Sequence, residues 1–242
     1  MNNKLVRNLA SASVAAAIAV AMGSQVLAVE WYPSRTQSEV GVTQPSVSTS
    51  TGTSITVSSK PSIDPATGSA VQVESSQDVI IQVTPVSATL AANAALNATG
   101  LSAQQLSGQA TSSGLSYAAN GQLNSLYQKV NEAESVSGLL AATAPAAAAA
   151  FESTVGASAD SYSPIALYDI AASLGAANAI AQGGSVDVAI AVPGVTDGTQ
   201  MVAICWDRAG NSRIVPVRVS GGAVYLSVTT SGPVMLMARA QA

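Results

Sequence analysis

The chain has 242 residues, 48% hydrophobic, 9% charged and 4% aromatic, with no His and one Cys. Globular chains average about 25% charged residues, and a net charge of −4 argues against the basic surface that a nucleic-acid binder needs to neutralise phosphates. Absence of His excludes Ser–His–Asp and Cys–His catalysis, and a single Cys excludes an intrachain disulfide framework or a Cys-based zinc site.

Residues 1–28 read as an export signal. Lys4 and Arg7 give a positive start, Leu9 to Met22 an apolar stretch, and Gly23-Ser24-Gln25 a break. Val26-Leu27-Ala28 then places small or slender residues at the −3 and −1 positions, so cleavage is expected after Ala28. The competing reading is an uncleaved anchor, but a spanning helix needs about 20 apolar residues. No Cys stands near the cleavage point to carry a lipid. Cleavage removes two cations and makes the mature chain more acidic.

Residues 29–54 are rich in Ser and Thr. Such a stretch buries too little apolar area to offset its ordering entropy, and it reads as a linker or stalk. Trp31 and Tyr32, just past the cleavage point, are expected to dock onto the folded part or onto a partner.

Residues 55–162 read as strands followed by Ala-rich helices. Ile55-Thr56-Val57, Val71-Gln72-Val73 and Val79 to Val83 alternate as half-buried strands do. From Leu90 the period changes: Leu90, Ala91, Ala94, Ala95 and Ala98 recur at helical spacing up to Gly100. A second helix is expected over 120–134, with Leu123, Leu126, Tyr127 and Val130 on one face and Lys129, Glu132 and Glu134 on the wet side. A third apolar segment, Leu139 to Val155, is interrupted by Pro145. Ala-rich helices bury little per residue, at about 0.8 kcal/mol per CH₂, so these are expected to lean on a sheet.

Residues 163–242 carry the clearest pattern. Short apolar runs begin at Ile165, Ser185, Met201, Ile214, Val224 and Val234, separated by Gly-containing turns. This spacing predicts an antiparallel β-sandwich. The fold class expected is therefore α+β: a C-terminal sandwich preceded by a small strand-plus-helix region, a Ser/Thr linker and a signal peptide.

Several pieces of this last part belong together: Tyr168-Asp169-Ile170, Val188 to Pro193, Trp206-Asp207-Arg208-Ala209-Gly210-Asn211, Ile214-Val215-Pro216 and Gly222 to Leu226. In that order they resemble a C-terminal β module of secreted and cell-surface proteins of Gram-positive (Firmicute) gut bacteria. The resemblance spans about 70 residues and departs from the pattern at Thr230-Ser231-Gly232-Pro233, which leads into a Met-rich strand. It implies a non-catalytic structural or spacer module and carries no active-site residues across.

No catalytic constellation emerges from the remaining residues. Cys205 lies inside an apolar strand, which suits an inert thiol better than a nucleophile. The carboxylates are scattered: Asp187 on a strand, Asp197 and Asp207 in turns, Glu132 and Glu134 on a helix. They do not converge as the acid pair of a glycosidase must. No calcium loop, phosphate-cradling Gly loop, cofactor motif or metal set is recognisable.

Three functions compete. The favoured one is a secreted or cell-surface structural or interaction protein without catalysis. The second is an adhesin or glycan- or protein-binding module of the envelope, with Tyr162, Tyr168, Trp206 and Tyr225 as candidate contacts. For Trp206 and Tyr225, core or sheet-face packing is the plainer reading. The third is a two-carboxylate hydrolase. Expected partners are the cell envelope, other extracellular proteins or a second copy through sheet edges. No later segment reads as a membrane span, and the chain ends without a Leu-Pro-x-Thr-Gly sorting signal.

Overall fold

Apolar residues on both sides of a strand make sense only where two cores meet, and the end of this chain is built that way. The computed structural model describes residues 60–63, 69–72, 81–107, 109–172, 185–192 and 194–239. These fall in one compact unit, Pro45–Ala242. The export signal, the Ser/Thr linker and the strand at Ile55-Thr56-Val57 lie outside the described residues.

Eight strands appear in chain order: β1 Ser69–Gln72, β2 Ile81–Pro85, β3 Tyr162–Ala172, β4 Val186–Ala191, β5 Met201–Trp206, β6 Ser212–Ser220, β7 Ala223–Val228 and β8 Gly232–Arg239. They form one antiparallel sheet in the order β1-β4-β7-β6-β5-β8-β3-β2. The long β6 joins its halves, pairing with β5 over Ser212–Pro216 and with β7 over Val217–Ser220. The terminal strands of that order, β1 and β2, nevertheless approach one another. The sheet is therefore curled, and together with the helices it makes the chain mixed α+β.

The helices are α1 Val86–Asn97, α2 Ala103–Leu106, α3 Tyr117–Glu132, α4 Val136–Thr143 and α5 Pro145–Val155. Each boundary has a local cause. Pro85 precedes α1, Ser102 and Gln105 form a capping box on α2, and Ser116 and Ser135 cap α3 and α4. Pro145 does not merely interrupt the third segment: it stands at the first position of α5, where its missing N–H costs nothing. Gly156 ends α5 at φ +74, in the left-handed region.

The expected faces hold for α3, where Leu123, Leu126 and Val130 are buried and Lys129, Glu132 and Glu134 are exposed. They fail for α1. That helix starts four residues before Leu90 and buries Val86, Thr89 and Ala92, while Ala91, Ala94, Ala95 and Ala98 face water. Alanine is too weakly apolar for its spacing to mark a buried face, and Val86 outweighs it.

Two cores follow from strand alternation. Tyr162, Leu167, Val202, Ile204, Trp206, Met235 and Met237 pack outward against α3, α4 and α5. Ala166, Tyr168, Ile170, Ala203, Cys205, Val234 and Leu236 point inward, to Val188, Ile190, Val224 and Leu226 on the other half of the sheet. A register shift between Pro164 and Ala166 lets both Tyr162 and Leu167 face the helices despite their odd spacing. Strand β8 runs between the two cores, which is why Gly232 to Ala238 are all buried.

Candidate functional site

The residues that sequence reasoning marked as contacts are dispersed rather than gathered. Tyr162 is buried edge-on against Phe151, with ring centroids 5.5 Å apart. Such a pair contributes about 0.5–1.5 kcal/mol beyond its area. Trp206 is buried and its Nε1–H donates to the Thr143 carbonyl at 2.7 Å, satisfying one of the open carbonyls at the end of α4. Tyr168 is buried inside the curled sheet. Tyr225 alone is partly exposed, with the Arg218 guanidinium 4.2 Å above its ring.

The carboxylates are held in contacts of their own. Asp169 on β3 is fully buried and accepts two hydrogen bonds from Arg208 of the β5–β6 turn, one of them at 2.6 Å from Nη2. Burial pushes the Asp169 carboxyl up from its ordinary value, while the bonds and charge of Arg208 pull it back. Gln122 of α3 fastens the same turn, its Nε2 donating to the Asp207 carbonyl at 3.0 Å. Asp207 accepts from the Asn211 backbone and side-chain amides, both at 2.8 Å, which closes the hairpin. Asp197 accepts from the Gly221 amide at 2.7 Å. The side chain of Asp187 lies outside the described residues.

Asp160 accepts from the backbone N–H and the hydroxyl of Ser137, both at 2.8 Å, at the start of α4. These bonds hold its carboxyl below the ordinary value. A lowered folded value means that the stabilisation is fully present above the ordinary carboxylate value and is lost as pH falls from there through the lowered folded value. Asp160→Ala is expected to cost at most about 1 kcal/mol at pH 7, because water screens its exposed carboxylate. Urea unfolding at pH 7 and pH 3 checks this, because the difference from wild type should shrink at the lower pH.

The inner face of the sheet holds the polar groups that packing leaves unanswered. One row crosses four adjacent strands: Tyr168 on β3, Val234 on β8, Cys205 on β5 and Arg213 on β6, paired in register. Among the described residues, five buried side-chain polar atoms have no hydrogen-bond partner, and three are on this row: Tyr168 Oη and Arg213 Nε and Nη2. The other two, Asn93 Oδ1 and Ser212 Oγ, are neither charged nor on the inner row. An unpaired buried donor costs about 1–3 kcal/mol. Sequence reasoning named Tyr168 but missed Arg213. Strand parity from Val215 was the signal that could have placed Arg213 inside.

Burial pushes the Cys205 thiol up to about 12, with Arg213 pulling it back. The thiolate is the reactive form, so Cys205 is expected to stay unmodified by an Ellman-type reagent in the native protein and to react stoichiometrically in denaturant. Fast labelling of the folded chain at pH 8 would show that the thiol is accessible after all. Burial likewise raises the Tyr168 phenol above its ordinary value.

A second feature is an open groove of about 320 Å³ where α3 ends and α4 begins, with Leu139 and Ala142 in its lining and Lys129, Glu132 and Glu134 among its charged residues. Among the described residues no cluster of three or more Cys, Asp or Glu side chains is placed to hold a metal ion, and no helix is long and apolar enough to cross a membrane. No protein-family model, curated protein or solved structure matches the chain.

Proposed function

We propose that this protein is a secreted or cell-surface structural and interaction protein that works without catalysis. The observation that carries the reading is the use made of its carboxylates. Asp160, Asp169, Asp197 and Asp207 are each bound to a helix start, a turn or a cation, at three places, with Asp169 and Asp207 both fastening the β5–β6 turn. They hold loops in place, as a durable scaffold needs.

The finer reading has four parts: a signal peptide over 1–28, a Ser/Thr linker over 29–54, a strand-and-helix region over 55–162 and a sandwich-like module over 163–242. The last is similar in its turns to surface modules of Gram-positive gut bacteria. Fractionation of native cells with N-terminal sequencing tests it. The expected result is a chain beginning at Val29 in the medium or wall fraction. A chain retaining Met1 in the cytosol would overturn it.

Tyr225 favours a second reading, a glycan- or protein-binding module of the envelope. Its ring is partly exposed on β7 and paired with Arg218, an aromatic platform beside a cation. A glycan array probed with wild type and Tyr225→Ala separates the two readings, since only a binding module shows spots that the substitution erases.

A further inference from the structure

We propose that the inner face of the curled sheet binds a small carboxylate at the row carrying Arg213 and Tyr168. The argument begins with the guanidinium. Its Nε and Nη2 are neighbouring donors on one edge, the edge that grips a carboxylate through two parallel bonds. Both are buried in Arg213 and neither has a partner. Tyr168 supplies an independent sign: its hydroxyl, at the other end of the same row, is also buried and unpaired. Native interiors leave few such groups, and here three fall on one row.

The chain itself offers no obvious answer. Asp169, the nearest buried carboxylate in sequence, is committed to Arg208. The 173–184 connection between β3 and β4 and the 229–231 connection between β7 and β8 contain no Asp or Glu, while Asp64, Glu74 and Asp78 lie outside the described residues. Among the described residues no carboxylate meets the open edge of Arg213, and a bound ligand would supply the negative charge. Its surroundings select the kind. Val215, Val228 and Val234 belong to the same inner core, so a single carboxylate on a short apolar tail fits better than a doubly charged, strongly hydrated phosphate. A short-chain fatty acid and the C-terminus of a small peptide share this chemistry. The proposal depends only on the inner row and not on where the protein works.

Calorimetric titration of the full-length protein with butyrate, and separately with tri-alanine and its C-terminal amide, tests the proposal. Saturable one-to-one binding of butyrate or of tri-alanine is expected, with the amide inert and inorganic phosphate at least tenfold weaker. Arg213→Lys keeps the charge but not the paired edge, and should weaken binding at least tenfold. Tyr168→Phe should weaken it several-fold and raise the Tm of the unliganded protein, because a buried unpaired hydroxyl is gone. Binding of butyrate alone identifies a free acid as the source, and binding of tri-alanine alone a peptide terminus. If the Arg213 variant fails to fold, the wild-type Tm decides: butyrate should raise it and butyramide should not. No saturable binding of either carboxylate, or an Arg213→Lys affinity within twofold of wild type, overturns the proposal.

Discussion

Gly232→Ala is expected to cost about 3–5 kcal/mol or to prevent folding. A Cβ at this position would lie 2.1 Å from the Trp206 carbonyl oxygen, and 3.1 and 3.2 Å from the carbonyl carbons of Trp206 and Asp207. All three are backbone atoms, so no rotamer change relieves the clash. Residue 232 also sits at φ +151, a conformation that side chains rarely adopt. Its position makes the constraint wide-reaching. Gly232 opens β8, pairs with Ile170 of β3 and lies against the end of β5, where the Arg208 turn begins. Pushing β8 away at this point would disturb both cores at once. Gly121→Ala is the matched control. It lies within α3 with nothing within 4 Å of the added atom, and should gain about 0.5–1 kcal/mol from helix propensity. Urea melts of the two variants are expected to move in opposite directions. A Gly232→Ala loss below about 1 kcal/mol would mean that the backbones of β5 and β8 separate without penalty.

The strands were legible in the sequence because β-branched alternation and Gly turns act locally. β4, β5, β7 and β8 begin and end within about two residues of the apolar runs that mark them. The face of α3 was legible for a related reason, since Leu and Val dominate one side of it. Three features were not. The curl depends on β6 changing partner at Pro216–Val217, a long-range event with no local mark. The buried face of α1 was hidden because Ala carries too little apolar area to outvote one Val. The Asp169–Arg208 pair joins residues 39 apart in sequence, and Asp169 read as one member of a Tyr-Asp-Ile motif whose burial nothing local announced. Arg213 was missed for a simpler reason. A single Arg in an alternating strand reads as a solvent-facing residue, although its parity with Val215 and its register with Cys205 place it inside. The aromatic contacts divide the same way: Trp206 packs against the helices, while Tyr225 is partly exposed on β7 beside Arg218.

Arg208→Ala is expected to cost about 3 kcal/mol at neutral pH and much less in acid. Asp169 is wholly buried, and Arg208 is its only cationic partner among the described residues. Breaking such a pair from the cation side leaves a charge with neither water nor a partner, a loss of about 3–5 kcal/mol when both groups are buried. The guanidinium is 37% exposed, and water screening around it places the expected value at the low end of that range. The pH dependence follows from the cause of the shift. Burial raises the Asp169 carboxyl, so the folded state holds a proton there more tightly than the unfolded chain does. Stability from such a group is fully present below the unfolded value, near 3.8, and declines as pH rises through the folded value. Arg208 limits that decline by pulling the folded value back toward ordinary. Removing it raises the folded value further, so the deficit of the variant grows from acid to neutral pH. Urea midpoints of wild type and Arg208→Ala at pH 4 and pH 7 measure it. The Asp169→Asn background isolates the pair, because with no charge to neutralise Arg208→Ala should cost under about 1 kcal/mol. An equal loss at both pH values, or in both backgrounds, would assign the role of Arg208 to packing against Gln122 and the hairpin rather than to charge.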